Sequence, residues 1–241
     1  MPKLNGQVAL ITGASRGIGR CIALRLAALK ATVVLAARNK DRLEAAAKEA
    51  EEAGGRAIVV PVELENEQSI KALAQTVHDR LARLDVLVNN AGITYSALLQ
   101  ETATEDYDRL MRVNARAPFI LCRETLDLLK KAPRGRIVNI ASVVGAKGYP
   151  RQSAYTASKH ALRGMSIALA EELRDTNVRV HVICPGGVDT DMVGDVRPDI
   201  DKGDLIAPDE IAELVEYLVT HKGNAVVDEL RPRRRTAAPW F

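Results

Sequence analysis

Tyr155 and Lys159 stand four residues apart in Tyr155-Thr156-Ala157-Ser158-Lys159, within a stretch of helical periodicity. Both side chains therefore leave one helix face a turn apart. An ammonium beside a phenol favours the phenolate and is expected to lower the Tyr pKa from about 10 toward neutral pH. A Tyr tuned in that way can give a proton to a carbonyl oxygen or take one from an alcohol. The same pair is also common on the outer face of amphipathic helices, so its weight comes from the rest of the chain. Ser142 adds a hydroxyl thirteen residues before the Tyr.

The elements that must position these groups alternate from end to end. Strands are predicted at Val8 to Thr12, Thr32 to Ala37, Arg56 to Val62, Leu84 to Asn89, Arg136 to Ile140, Val178 to Ile183 and Ala225 to Val227. Helices are predicted at Ile18 to Lys30, Lys40 to Ala53, Glu67 to Leu81, Thr104 through Asn114 to Leu129 with a kink or break at Pro118, Ser153 to Leu173, and Pro208 to Thr220. Strands alternating with helices of this length indicate an α/β fold, a doubly wound parallel sheet with helices on both faces.

In such a sheet the ligand lies beyond the carboxyl ends of the strands, where the strand order reverses. After the first strand comes Thr12-Gly13-Ala14-Ser15-Arg16-Gly17-Ile18-Gly19. Gly13 allows a tight turn, Gly17 and Gly19 allow close approach to a pyrophosphate, and the helix amides face the phosphates. The second strand ends Val34-Leu35-Ala36-Ala37-Arg38, without the acid that would hold a ribose 2′-hydroxyl. Arg38, with Arg16 from the glycine turn, favours a 2′-phosphate and thus NADP(H) over NAD(H). Glu63-Leu64 could meet the adenine edge, and Asn89-Asn90-Ala91-Gly92 offers small residues beneath a flat ring. Pro185-Gly186-Gly187-Val188-Asp189-Thr190 provides a turn for the nicotinamide carboxamide.

The chain has 241 residues, 47% of them apolar but only 3% aromatic, which suits one domain (residues 1–241) around an aliphatic core. A net charge of +3 with interspersed signs argues against a nucleic-acid partner. The basic cluster Arg231, Arg233, Arg234 and Arg235 opens an irregular C-terminal tail and is expected to be solvated. Cys21, Cys122 and Cys184 show neither a disulfide framework nor metal-ligand spacing, so no metal is expected and a reducing compartment fits. Without an apolar leader or a long apolar run, the expectation is a soluble cytoplasmic protein with no membrane partner.

Taken in order, T-G-x-x-x-G-I-G at Thr12 to Gly19, N-N-A-G at Asn89 to Gly92, Asn114, Ser142, Y-x-x-x-K at Tyr155 to Lys159 and P-G-x-x-x-T at Pro185 to Thr190 resemble the classical short-chain dehydrogenase/reductase superfamily. The resemblance runs from Gln7 to about Val227. It implies a Rossmann-type fold and a catalytic tetrad of Asn114, Ser142, Tyr155 and Lys159. Tyr155 would be the general acid/base, Ser142 would hold the substrate oxygen, Lys159 would tune the Tyr and bind ribose, and Asn114 would hold a water of a proton path. Cofactor contacts would come from Gly13, Ser15, Arg16, Gly17, Ile18, Gly19, Arg38, Glu63, Leu64, Asn90, Ala91, Gly92, Val113, Tyr155, Lys159, Pro185, Gly186, Val188 and Thr190. Two positions depart from the family pattern. Glu63 stands where Asp is usual, and Val227-Asp228-Glu229-Leu230 replaces a V-D-G-G strand end. A homodimer or homotetramer is implied, without a choice between them.

The activity so implied is NADPH-dependent transfer of hydride between nicotinamide and a carbonyl or secondary alcohol, with ketones and 3-oxoacyl thioesters as candidate substrates. The alternative is a catalytically idle dinucleotide-binding sensor or scaffold of the same fold, against which the intact tetrad argues. An epimerase of the extended branch would need a longer chain. The substrate should meet Ser142, Val144, Tyr149, Gly187 and Met192, with Tyr95 and Val143 nearby. The segment from Thr190 to Pro208 reads as a mobile lid. Trp240 and Phe241 are expected to dock on a neighbouring subunit or back over the pocket.

Overall fold

The computed structural model describes residues 4–196 and 201–239. Fifteen elements follow one another as β1 (Val8–Thr12), α1 (Gly17–Ala28), β2 (Thr32–Ala37), α2 (Lys40–Glu52), β3 (Arg56–Pro61), α3 (Glu67–Leu81), β4 (Val86–Asn89), α4 (Thr104–Met111), α5 (Ala117–Lys131), β5 (Gly135–Ile140), α6 (Ser153–Glu172), β6 (Val178–Ile183), α7 (Asp191–Val196), α8 (Pro208–Thr220) and β7 (Glu229–Leu230). The strands form one parallel sheet in the order β3-β2-β1-β4-β5-β6-β7. The order reverses between β1 and β4, which opens a crevice at their carboxyl ends.

Both faces of the sheet are buried, and successive side chains alternate between two cores. Ala9, Ile11, Val33 and Leu35 pack with Ile22 and Leu26 of α1, Leu43 of α2 and Ile211 and Val215 of α8. Val8, Leu10 and Val34 pack on the opposite side with Leu73 and Val77 of α3 and Ile120 and Leu121 of α5. The nearly continuous apolar runs of β1 and β2 are what a two-sided sheet favours.

The sequence expectations hold for most elements, with three corrections. The last strand lies at Glu229–Leu230, not at Ala225 to Val227. Val226 is exposed, whereas the β6 amides of Val182 and the following Cys184 donate to Asp228 and Leu230 at 2.8 and 2.7 Å. Pairing to the β6 edge outweighs the apolar run, because an edge strand is fixed by its partner and not by propensity. The long helix from Thr104 is divided into α4 and α5 by a π-helical turn at Arg112–Arg116, with Pro118 in the first turn of α5. Pro118 has no N–H to return to the carbonyl of Asn114 four residues earlier, so regular α-helical bonding cannot run through Asn114.

The stretch expected to be a lid carries a helix not anticipated from sequence, α7, and returns through the bridge Val188↔Ile206. The lid reading also covers residues 197–200, and the docking of the terminal aromatics concerns Trp240 and Phe241; both fall outside the described residues.

Candidate active site

A cavity of about 890 Å³ lies over the crevice between β1 and β4. Its wall at one end is the glycine turn. Gly13 has φ +68°, and a Cβ there would come within 2.9 Å of the Ala91 backbone and of Asn90 Nδ2. Gly17 has φ +54° and opens α1, whose N-cap residue Arg16 makes no side-chain capping bond. The first amides of α1 thus keep their donors for a ligand. Ser15, Arg16 and Ile18 also line this end, with Ala37 and Arg38 at the end of β2 and Glu63 and Leu64 after β3.

Asn90, Ala91, Gly92 and Val113 line the middle of the cavity, and Pro185, Gly186, Val188 and Thr190 line the opposite wall. At the far end stand Ser142, Val144, Tyr149, Tyr155, Lys159, Gly187 and Met192. Residues expected separately from sequence are thereby gathered around one space.

Two expected cofactor or tetrad residues do not line it. Gly19 sits behind the turn, where a Cβ would clash with the Gly13 carbonyl oxygen, so its smallness serves the packing of α1 against the turn. Asn114 is fully buried and ties the loop after β4 to α6. Its Oδ1 accepts from the Ile93 amide at 2.9 Å, and its Nδ2 donates to the Ile93 carbonyl at 2.9 Å and to Ser158 Oγ at 3.0 Å. The expected water would therefore have to meet the Asn114 carbonyl, which Pro118 deprives of an α-helical donor, and not the side-chain amide. Tyr95 also stays outside the cavity, and the Asp106 carboxylate near its hydroxyl holds its pKa above the ordinary value.

Helix α6 brings Tyr155 and Lys159 to the cavity floor, both on its buried face. Ser142, in extended backbone just past β5, accepts a bond from the Val144 amide at 3.3 Å, and its hydroxyl is near enough to the Tyr155 phenol to favour the phenolate. Lys159 Nζ lies 6.0 Å from the centre of the Tyr155 ring and donates to the Ile140 carbonyl at 3.0 Å.

The electrostatics correct the expectation of a depressed Tyr. Burial pushes the Tyr155 phenol up to about 12, and the nearby Ser142 hydroxyl offsets only part of that. Burial also pulls Lys159 down to about 8. Desolvation disfavours phenolate and ammonium alike. It outweighs an attraction across 6.0 Å to an ammonium already engaged with a carbonyl.

Arg38 is exposed at the cavity's rim, whereas Arg16 is ion-paired with Asp191 at the start of α7. Other lining residues were not anticipated, among them Ile140, Lys147, Gln152, Arg233, Arg234 and Ala237. The tail arginines carried no signal beyond their charge, and charge alone reads as solvation. Among the described residues no group of three or more His, Cys, Asp or Glu could hold a metal, and no helix is long and apolar enough to cross a membrane.

The family model described as short chain dehydrogenase matches residues 7–201. The chain belongs to the short-chain dehydrogenase family. It is accordingly an oxidoreductase of that family, whose members use a nicotinamide cofactor. A 3β-hydroxysteroid dehydrogenase of Mediterraneibacter gnavus is 37% identical over 201 residues, covering 83% of this chain and 72% of that protein. A 3-oxoacyl-[acyl-carrier-protein] reductase of Aquifex aeolicus is 35% identical over 237 residues, covering 95% and 96%. Among solved structures, a metagenomic short-chain oxidoreductase in complex with NADP superposes with a TM-score of 0.85 at 37% identity, over 97% of this chain and 99% of that one. The alcohol dehydrogenase of Thermococcus sibiricus complexed with 5-hydroxy-NADP gives 0.90 at 33% identity, over 98% and 99%.

Proposed function

We propose that this short-chain dehydrogenase transfers hydride between NADPH and a ketone or 3-oxoacyl compound, with Tyr155 giving the proton in reduction and taking it in oxidation. The observation that carries the reading is the cavity floor, where the Tyr155 phenol and the Ser142 hydroxyl line one space with Lys159 one turn away. The nicotinamide, when bound, supplies the hydride, and the protein supplies placement and the proton.

The residues fit that cofactor: a glycine turn with positive φ at Gly13 and Gly17, uncapped amides at the start of α1, and no acid at the end of β2. Arg38 would pair with a 2′-phosphate. Arg16 could join it only by leaving Asp191, so Arg38 should carry the larger share. The NADP complex of the metagenomic relative supports this preference. The reductase and steroid dehydrogenase relatives support a carbonyl or secondary alcohol as the reacting group.

A neutral phenol is the form that must donate when a carbonyl is reduced, and burial keeps Tyr155 in that form at neutral pH. Ser142 would share a hydrogen bond with the oxygen as negative charge grows there. Lys159, at the bottom of the same floor, would bind the ribose hydroxyls, and a water on the Asn114 carbonyl would return a proton to the site. The chain would work as a single domain within a homodimer or homotetramer.

A panel of ketones and 3-oxoacyl thioesters followed by loss of NADPH absorbance tests the reading, with Tyr155→Phe as the control. Absence of turnover across the panel, with NADPH bound, would leave the idle dinucleotide-binding reading instead.

A further inference from the structure

The C-terminal tail does not leave the molecule after β7. It continues the parallel pairing with β6 into the wall of the cavity, where the Gly186 amide donates to the Pro232 carbonyl at 2.8 Å. The tail closes a turn through the Ala237 amide and the Arg234 carbonyl at 3.0 Å. Arg233 braces that turn from outside, its guanidinium donating to the carbonyls of Arg234, Arg235 and Ala237 at 3.2, 3.3 and 2.7 Å. Arg233 is spent on the backbone. Arg234 is not.

The Arg234 side chain is half-buried against Gly187, where a Cβ would meet its Cδ at 3.5 Å and its Nε at 3.7 Å. No ion pair or hydrogen bond of its guanidinium occurs among the described residues. The four acids of the cavity are otherwise disposed: Asp191 is paired with Arg16 and Glu65 with Arg109, Glu63 accepts from the Glu65 amide at 3.4 Å, and Asp189 is exposed and forms no ion pair with Arg234. Position matters as much as vacancy. The Val143 amide donates to the Pro185 carbonyl at 2.8 Å, so the loop against which Arg234 packs is joined to the Ser142 segment. The phosphate end of the same loop lies at Thr190, beside Gly17. Arg234 therefore stands at the carbonyl end of the cavity.

A half-buried guanidinium with no carboxylate is a fork waiting for an anion, since its planar donors match a carboxylate or phosphate in pairs. We propose that Arg234 is the counter-ion for an anionic group of the substrate, so that the protein prefers carbonyl compounds carrying a carboxylate or phosphate away from the reacting carbon. This rests on the carbonyl reductase reading and narrows its substrate class.

The test compares matched pairs: an oxo-carboxylic acid with its methyl ester, and a ketone phosphate monoester with the free hydroxyketone, each with wild type, Arg234→Gln and Arg234→Lys. For the anionic member of at least one pair, Arg234→Gln should raise KM by about tenfold or more with kcat and the KM for NADPH little changed, and Arg234→Lys should recover part of the loss. The neutral members should not respond. Which pair responds tells carboxylate from phosphate. Equal KM changes for charged and neutral members, or a rise confined to NADPH, overturn the proposal. If no carbonyl is turned over, the reductase reading fails by itself. Calorimetric binding of the oxo acid and the ketone phosphate to wild type and Arg234→Gln then still decides the arginine: loss of binding in the variant upholds it, and equal or absent binding in both overturns it.

Discussion

Thr12 and Asn90 lock the ends of β1 and β4 together beneath the cavity. Thr12 Oγ1 accepts from the amides of Asn90 and Ala91 at 3.1 Å each, and Asn90 Nδ2 donates back to the Thr12 carbonyl at 3.0 Å. The crevice of a doubly wound sheet has no strand pairing to close it beyond the last ladder bond, so side chains must fix its width. Thr12→Val keeps the shape but removes the acceptor. Two partly buried amides lose their partner, at about 1–3 kcal/mol each. A lower denaturation midpoint together with a higher KM for NADPH is expected. A midpoint equal to wild type would show that water satisfies both amides.

Tyr155→Phe should lower kcat by roughly 10²- to 10⁴-fold, the usual loss for a general acid. The phenyl ring keeps the packing in the small cluster with Leu110, Val144 and Ala154. NADPH affinity, measured by fluorescence titration, should stay within a few-fold of wild type. A variant with a tenth of the original rate or more would assign the proton to another group.

Lys159→Met should separate function from stability. The folded pKa of about 8 lies below the ordinary lysine value of 10.5, so the unfolded chain binds the proton more readily. The stability linked to this group is present above about pH 10.5, is lost as pH falls toward 8, and at neutral pH the deficit is complete. A deficit on the order of 3 kcal/mol follows from the size of the shift, less about 1 kcal/mol for the bond to Ile140. The variant is expected to melt higher than wild type at pH 7, to lose that advantage between pH 8 and 10.5, and to be nearly inactive. Thermal melts across that range check the sign.

Replacing Ala37 by Asp and Arg38 by Leu should move the cofactor preference toward NADH. A charge-assisted bond to a 2′-phosphate contributes about 1.5–3 kcal/mol, so the ratio of kcat/KM values should change tenfold or more. Wild-type protein that uses both cofactors equally would refute the role given to Arg38 and leave the reductase reading intact.

His181 gives an acid limit to stability. It is 4% exposed, its Nδ1 lies 2.7 Å from the Val227 carbonyl, and its Nε2 has no partner among the described residues. Bonding to a carbonyl fixes the neutral tautomer with its proton on Nδ1, so a second proton would enter an unpartnered buried site. Burial, with the cations of Arg136 and Arg179, holds the pKa below 6.5 against the opposing Val227 bond and Asp228. The unfolded chain then binds more protons below about pH 6.5, and stability falls as the pH drops. Urea midpoints at pH 7 and pH 5 should differ more for wild type than for His181→Gln; equal differences would remove His181 from the account.

Much of the site was legible from local chemistry. Gly13 and Gly17 have positive φ, as a turn around a phosphate demands, and the four-residue step from Tyr155 to Lys159 fixes a shared helix face whatever surrounds it. The strands were legible because burial on two faces leaves runs that are mostly apolar, such as Val8 to Ile11 and Val33 to Ala37. Val226 misled for the same reason, since an apolar run reads alike whether it pairs or lies exposed beside a sheet edge.

The chain's local sequence thus determined the alternating elements, the glycine turn and the pairing of phenol with ammonium, because each depends on residues a few positions apart. Tertiary structure decided what those groups experience. It buried Tyr155 and Lys159 so that both shift toward their neutral forms, and it spent the Asn114 side chain on Ile93 and Ser158. It also folded Arg234 back against Gly187, more than forty positions away in the chain. Desolvation and long-range hydrogen bonding depend on which distant segments meet, and no spacing along the chain records that.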